Sequence, residues 1–125
     1  MARLKEIVID ARHPAALARF WAQALDGYAV RAYDSAEIER LAALDLTPES
    51  DPSVAVDGPG PTLFLQLHPE GPSGRSTLHL DLECASRSAE VARLLALGAR
   101  VRDTHATHTV MHDPEGNAFC LQGAE

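Results

Sequence analysis

The sequence predicts an α+β protein made of two similar halves. Two kinds of segment predict it: apolar, alternating stretches typical of strands, and amphipathic stretches that end in glycine. In the first half, a strand at residues 4–11 precedes a helix at residues 14–25, whose apolar residues recur at helical spacing. In the second half, a strand at residues 77–84 precedes a helix that begins at Ser86 or Ser88. Further strands follow each helix, so the order of elements repeats.

Local patterns predict the remaining elements. Pro14 suits the first turn of the first helix, where its missing N–H costs nothing. Ser35 is a candidate cap for a short helix with Glu37 and Glu39 in its first turn. Residues 47–57 are mostly loop and end in a short strand. Further strands are predicted at residues 28–33, 62–68, 99–103, 107–112 and 118–122.

Size and composition limit the classes of function. The 125 residues suffice for one domain, and 46% hydrophobic with 23% charged residues is ordinary globular composition. The net charge of −7 argues against a nucleic-acid partner and against adhesion to an anionic membrane. No apolar run resembles a secretory signal or spans a bilayer. Two cysteines outside any CxxC motif indicate a cytoplasmic protein with reduced thiols.

The strand TLHLDLEC (residues 77–84) alternates unusually clearly. One face carries Leu78, Leu80 and Leu82, and the other carries His79, Asp81 and Glu83. The polar face is either open to solvent, as in many antiparallel sheets, or part of a site. His79 is the best functional candidate in the chain, and Asp81 could orient it or act as a base.

Three stretches resemble the vicinal oxygen chelate superfamily and, within it, the small glyoxalase-like proteins. They are IVIDARHPAALARFWAQALDGY (7–28), HLDLEC (79–84) with the following helix and LGARV, and HDPEGNAFCLQ (112–122). The resemblance implies two βαβββ modules that form a curled mixed sheet around one cavity, with the helices outside. Residues 1–125 would form a single domain, with module one at about 1–68, a linker at 69–76 and module two at about 77–125.

The modular plan implies a direction for each strand residue. The residues expected to face the cavity are Glu6, Val8, Asp10, His79, Asp81 and Glu83, and those expected to pack toward the helices are Lys5, Ile7, Ile9, Leu78, Leu80 and Leu82. The resemblance also implies a pocket lined by Val8, Asp10, Phe64, His108, Val110, His112 and Gln122.

Metal-dependent members of the superfamily bind an ion through four side chains. Alignment residue by residue places Glu6, Gln66, His79 and Cys120 at these positions. The usual set is His or Gln, then Glu, His and Glu, so only His79 is unchanged. Glu6 is an acceptable oxygen donor, but Gln66 is a poor neutral ligand and Cys120 replaces the expected Glu. Because two of the expected ligand types are lost, we expect no metal cofactor. If Cys120 is a ligand, one divalent ion is expected and zinc is favoured, since thiolate suits zinc better than Mg²⁺ or Mn²⁺.

Cys120 follows the turn HDPEGN, which Asp113 and Asn117 are expected to hold through hydrogen bonds to the backbone. Its thiol has three interpretations: pocket wall, metal ligand or nucleophile. The pocket wall is favoured, because cysteine is among the most buried residue types. A nucleophile would need a nearby cation, which His79 or His112 could supply.

The resemblance implies a small-molecule-binding protein that lacks the full metal-ligand set and whose catalytic status is open. One alternative is a metal-dependent lyase or isomerase that uses Glu6, His79 and Cys120. Another is sequestration of an antibiotic or metabolite, as in bleomycin-resistance proteins. A third is a metal-free enzyme with His79 and Asp81 as an acid–base pair. The acidic inner residues, which would favour a cationic ligand, are Glu6, Asp10, Asp81 and Glu83.

The resemblance also implies a homodimer, since superfamily members commonly dimerise. Residues 34–60 match no motif, and we expect this segment to shape ligand specificity.

Overall fold

A computed structural model describes residues 1, 3–71 and 78–125. The elements in chain order are β1 (Glu6–Ala11), α1 (Pro14–Ala24), β2 (Ala29–Val30), α2 (Ser35–Ala42), β3 (Ser53–Asp57), β4 (Thr62–Leu67), β5 (Leu80–Ser86), α3 (Arg87–Ala96), β6 (Arg100–Thr104), β7 (His108–His112) and β8 (Ala118–Ala124). The chain separates into two compact units, Met1–Gly71 and Pro72–Glu125, which are called module one and module two below. Most of the expected linker, at residues 72–76, lies outside the described residues.

Both modules have the same sheet topology. The strand order is β1-β4-β3-β2 in module one and β5-β8-β7-β6 in module two. The first strand pairs in parallel with the last, and the other neighbours pair antiparallel. The predicted α+β class and the two βαβββ modules are therefore confirmed, with a four-stranded mixed sheet in each. Module one carries one additional short helix, α2, within segment 34–60.

Module one buries one face of its sheet beneath α1, which contacts all four of its strands. The helix begins at Pro14 and buries Leu17, Phe20 and Trp21. The rings of Phe20 and Trp21 meet edge to face, with centroids 5.2 Å apart. The most buried strand residues of this module are Ala11, Val54, Val56, Leu63 and Leu65. Among residues 1, 3–71 and 78–125, none of the helices has the length and apolarity that a bilayer crossing requires.

Module two buries one face of its sheet beneath α3, which contacts β5, β6 and β8. The Ser86 hydroxyl caps α3 by accepting the Ala89 N–H at 3.4 Å, as one of the two expected helix starts requires. Leu94 of the helix is fully buried, together with Met111, Phe119 and Leu121 of the central strands β7 and β8. This layer fixes which face of β8 is turned away from the helix.

A buried arginine at the start of α3 secures the turn between β6 and β7. Arg87 donates to the backbone carbonyls of His105 (2.8 Å) and Ala106 (2.9 Å), and its guanidinium pairs with the Glu125 carboxylate. A buried guanidinium needs such acceptors, because an unpaired charge inside a protein is costly.

Three local expectations are wrong. Asp34, not Ser35, caps α2, since its carboxylate accepts the Glu37 N–H at 2.8 Å and a negative charge is favourable at a helix N-terminus. Leu78 and Lys5 precede the paired residues of their strands and are 76% and 89% exposed, so neither packs beneath a helix. In the sequence, the alternating pattern starts before the first paired residue of each strand. The remaining helix-facing candidates, Ile7, Ile9, Leu80 and Leu82, are half-buried.

The turn before β8 is built on a buried carboxylate. Oδ1 of Asp113 accepts the backbone N–H groups of Glu115 (2.9 Å) and Asn117 (3.0 Å), and Oδ2 accepts the Asn117 side-chain amide at 2.8 Å. Gly116 has a φ of +93°, which glycine adopts without the strain that a Cβ would add. The expected bonds from the Asp113 side chain to the backbone are confirmed, whereas the Asn117 side chain bonds to the Asp113 carboxylate and not to a backbone group of the described residues. The turn determines where β8 begins.

Replacing Asp113 with Ala should destabilise the protein by about 2–4 kcal/mol, because three donors lose a buried, charged acceptor. The free energy of unfolding in urea, followed by circular dichroism, measures this loss. Asp103→Ala is the control: that carboxylate is exposed and accepts a hydrogen bond from Arg102, so its removal should change stability little. An equal loss in the two variants would contradict the structural role of Asp113.

Candidate functional site

Module two gathers three potential ligand groups on one face of its sheet. The side-chain donor atoms of His79, Asp81 and Cys120 all lie within 4.8 Å of one another. Strand register explains this arrangement: Asp81 pairs with Cys120 across the parallel strands β5 and β8, and His79 lies two residues before Asp81. Cys120 lies between the fully buried Phe119 and Leu121, so its side chain points away from α3. This set is called the His79–Asp81–Cys120 cluster below.

The imidazole and the carboxylate of the cluster are in direct contact. Nδ1 of His79 lies 3.1 Å from Oδ1 of Asp81, and the two side chains are 56% and 54% exposed. Such a contact holds an imidazole in one orientation and one tautomer, which leaves Nε2 directed toward a ligand or a reacting proton. The structure therefore places Asp81 where it can orient His79, as the sequence suggested.

The Cys120 thiol is held in its protonated form. Burial raises its pKa, and so do the negative charge and the hydrogen bond of Asp81, while the Arg102 guanidinium partly opposes them. A thiol with a raised pKa is a weak nucleophile at neutral pH. The surroundings of Cys120 therefore favour a pocket wall or a metal ligand over a nucleophile.

Arg102 is a residue that sequence reasoning missed. The pairing of β6 with β7 shifts between Val101 and Asp103, and a shift of this kind changes the face to which a side chain points. Simple alternation along β6 could not show that the charge of Arg102 acts on the Cys120 thiol. Its guanidinium donates to the Asp103 carboxylate at 2.8 Å and lowers the pKa of that group.

The other expected pocket residues of module two lie around the cluster. Val110 is directly opposite Cys120 on β7, His108 is opposite Gln122, and His112 is opposite Ala118. Cross-strand partners share a face, so these side chains surround Cys120 on the side away from α3. The His108 ring stacks on His105, with centroids 4.6 Å apart.

Module one does not bring its two expected metal ligands together. Glu6 pairs with Thr62, whereas Gln66 lies four residues further along β4, opposite Asp10. Four residues of strand correspond to about 13 Å. In module two, Cys120 pairs with Asp81, which lies two residues after His79. In module one, the residue two positions after Glu6 is Val8, and Val8 pairs with Phe64. Phe64 therefore holds the position that corresponds to Cys120. Phe64 has no atom that can bind a metal ion.

Module one also contains a cavity of about 330 Å³. Its floor includes Phe64 and Ala55, which are cross-strand partners on β4 and β3. Segment 34–60 supplies α2 and Asp51 to its walls. Of the pocket residues expected in this module, Phe64 lines the cavity, while Val8 and Asp10 lie on the neighbouring strand β1 of the same sheet.

A hydrogen-bonded pair lies in the cavity wall. The Tyr33 hydroxyl donates to Oδ2 of Asp51 at 2.7 Å, and the Ser53 N–H donates to Oδ1 at 3.0 Å. Asp51 is only 5% exposed. Burial raises the pKa of the Tyr33 phenol, and the Asp51 carboxylate raises it further, so the phenol remains a donor throughout the physiological range. No motif in the sequence pointed to this pair.

Asp81→Asn should speed the alkylation of Cys120 at neutral pH by about two- to tenfold, because it removes a charge that raises the thiol pKa. The rate of reaction with iodoacetamide, measured against pH in a Cys84→Ser background, reports the apparent pKa. Glu83→Gln removes a charge from the same strand without changing a neighbour of Cys120 and should leave the rate unchanged. An unchanged rate in Asp81→Asn would contradict this account of the thiol.

The chain was compared with known families and solved structures. The family model described as a glyoxalase-like domain matches residues 6–122. A glyoxalase/bleomycin resistance protein/dioxygenase family enzyme from Burkholderia phytofirmans PsJN has a TM-score of 0.70 and 16% identity, over 99% of this chain and 100% of that one. The fosfomycin resistance protein FosX from Mesorhizobium loti has a TM-score of 0.66 and 15% identity, over 98% and 91%. A glyoxalase-related enzyme from Fulvimarina pelagi has a TM-score of 0.64 and 14% identity, over 98% and 88%.

None of the curated proteins matches this chain. At identities of 14–16%, the solved structures establish the fold and no more. The family match extends from β1 to β8 and includes both modules. The chain therefore belongs to the glyoxalase-like domain family, with the fold of the glyoxalase/bleomycin resistance/dioxygenase, or vicinal oxygen chelate, superfamily.

Proposed function

We propose that this protein binds a small molecule with oxygen donors at the polar sheet face of module two, through a zinc ion held by His79, Asp81 and Cys120. The observation that supports this proposal is the convergence of three donor atoms within 4.8 Å. The names of the structural neighbours, which include a fosfomycin resistance protein and a glyoxalase-related enzyme, support a small-molecule ligand.

The donor set suits zinc in particular. One imidazole nitrogen, one carboxylate oxygen and one thiolate sulfur are the ligand types that zinc prefers, and three protein ligands leave a coordination position open. Sulfur disfavours Mg²⁺ and Mn²⁺, which prefer oxygen ligands. We therefore propose a zinc cofactor, although the loss of family ligand types led us to expect none.

The contact between Cys120 and Asp81 also supports a bound cation. The carboxylate raises the pKa of the thiol, because two negative charges at this separation repel each other. A divalent cation between the two groups would invert this effect, since a coordinating thiol loses its proton. Without a cation, a Cys120 thiolate and the Asp81 carboxylate would repel each other. With a cation bound between them, both groups would be stabilised as its ligands.

Module two supplies all three donors of the proposed site. In module one, Phe64 holds the position that corresponds to Cys120, and Gln66 lies opposite Asp10. Glu6 lies 3.8 Å from the Lys5 ammonium. The proposed site therefore differs from a set of four ligands drawn from both modules, and Asp81 is the additional ligand.

The residues around the ion would position the bound molecule. A zinc ion at this site would polarise a ligand oxygen, as a Lewis acid does. His108, Val110 and His112, which share the face of Cys120, would border the bound molecule. A lyase or isomerase reaction is the activity that we propose if the bound molecule is turned over.

A metal-free enzyme is the second candidate, and the 3.1 Å contact between His79 and Asp81 favours it. In that case His79 exchanges a proton with the substrate while Asp81 stabilises the imidazolium. Turnover would then persist after chelation and would be lost in both His79→Ala and Asp81→Asn.

As part of either proposal, the protein is a cytoplasmic homodimer. We also propose that it has no nucleic-acid partner, which its net charge of −7 supports.

Elemental analysis of untagged protein purified without chelator should find about one zinc per chain. His79→Ala and Cys120→Ser should lose the ion. Asp81→Asn should weaken zinc binding by about tenfold or more, because a neutral amide oxygen replaces a carboxylate ligand. With Co²⁺ in place of zinc, the native protein should show a thiolate-to-metal charge-transfer band that is missing in Cys120→Ser.

Glu6→Gln is the matched control, since it removes a carboxylate from the other module and should retain zinc. Circular dichroism would verify that each variant is folded. Absence of metal after incubation with zinc, nickel, manganese and iron would rule out the zinc site. Stoichiometric zinc in Cys120→Ser would rule out the thiolate as a ligand.

A further inference from the structure

We propose that the cavity of module one is a second binding site, for a small protonated amine with an aromatic or other apolar body. Among the described residues, those that line the cavity all lie between Arg31 and Phe64, so this proposal does not depend on zinc or on the His79–Asp81–Cys120 cluster. It assigns a ligand to a region that the sequence left without a motif.

The volume and floor of the cavity define the body of the ligand. About 330 Å³ lies at the lower end of the range of roughly 300–1,000 Å³ that small-molecule sites span. Phe64 and Ala55 provide an apolar surface, and Tyr33 adds a second aromatic ring. A single small molecule with an apolar group fits these dimensions, whereas a glycopeptide antibiotic is far too large. This size limit narrows the sequestration alternative to small metabolites.

The two cations of the lining are already neutralised. Arg31 donates two hydrogen bonds to the Asp57 carboxylate, at 2.8 and 2.9 Å. Arg40 donates two to Oε1 of Glu37, at 2.6 and 3.1 Å. Each pair raises the pKa of its arginine and lowers that of its carboxylate, so all four groups remain charged at neutral pH. These arginines therefore offer little attraction for an anionic ligand.

Two carboxylates of the lining have neutral partners only. Asp51 accepts from the Tyr33 hydroxyl and the Ser53 N–H, and Asp34 accepts from the Glu37 N–H at the start of α2. Within the part of the chain that the structure describes, neither Asp34 nor Asp51 forms an ion pair. The charge of Arg40 acts on Asp51, but the Arg40 guanidinium is hydrogen-bonded to Glu37. A ligand ammonium would therefore give the buried Asp51 carboxylate a direct charged partner.

The aromatic rings favour the same charge. The faces of Tyr33 and Phe64 carry negative electrostatic potential, which attracts an ammonium group within about 6 Å. Unpaired carboxylates and aromatic rings thus act together, and the paired arginines do not oppose them. A protonated amine satisfies both features, whereas a carboxylate ligand satisfies neither.

Three ligands of nearly equal size test the preference for charge. Isothermal titration of the full chain with phenethylamine, 2-phenylethanol and phenylacetate compares a cation, a neutral molecule and an anion on the same ring. We expect phenethylamine to bind with a Kd of about 1 mM or tighter, at least about tenfold below the Kd of the other two. Absence of phenethylamine binding, or equal or tighter binding of phenylacetate, would overturn the proposal.

Variants test the site. Asp34→Asn removes the charge but can still cap α2, because asparagine is as good a cap as aspartate. Asp34→Asn and Asp51→Asn should each weaken phenethylamine binding, by about tenfold for Asp51. Glu39→Gln makes the same charge change on α2 outside the cavity and should bind as the native protein does. If Asp34→Asn and Asp51→Asn both bind phenethylamine with the affinity of the native protein, the proposed location of the site is wrong.

The two sites can fail separately. Phenethylamine binding should be unchanged in His79→Ala and Cys120→Ser, which test the zinc site. A protein that binds the amine but no zinc would retain this inference and lose the proposed function. A protein that binds zinc but no amine would do the opposite.

Discussion

Burial of one sheet face beneath a single helix controls the position of every candidate residue in this protein. On β8, Phe119 and Leu121 are buried against the α3 side of module two, so Cys120 between them must point the other way. Its cross-strand partners Asp81 and Val110 follow it to that face. A register slip of one residue would place the thiol and the carboxylate in the core. The apolar layer is thus what keeps the polar cluster together.

The two modules share a topology and differ in what they present on the free face. Equivalent registers place Phe64 in module one where Cys120 lies in module two. An aromatic ring at this position gives an apolar floor, and a thiol gives a potential ligand atom. The two kinds of site that we propose thus share one fold, and they differ through single side chains at matching positions.

Three aspartates show how surroundings assign different roles to the same group. Asp113 is fully buried and accepts three hydrogen bonds, so it is satisfied and shapes a turn. Asp51 is almost as buried but has two neutral donors and no ion pair among the described residues, so a cationic ligand would stabilise it. Asp81 is half-exposed and faces both an imidazole and a thiol, so a metal ion would suit it.

Side-chain direction along a strand or helix depends only on nearby residues. Local periodicity in the sequence was therefore sufficient to determine the fold class, the order of the elements and the shared face of His79 and Asp81. Tertiary structure alone decided that Gln66 lies beside Asp10 rather than near Glu6, that the charge of Arg102 acts on Cys120 and that segment 34–60 helps to line a cavity. Register, bulges and cavities arise from pairing between segments that are distant in the chain. A single-sequence pattern carries no record of that pairing.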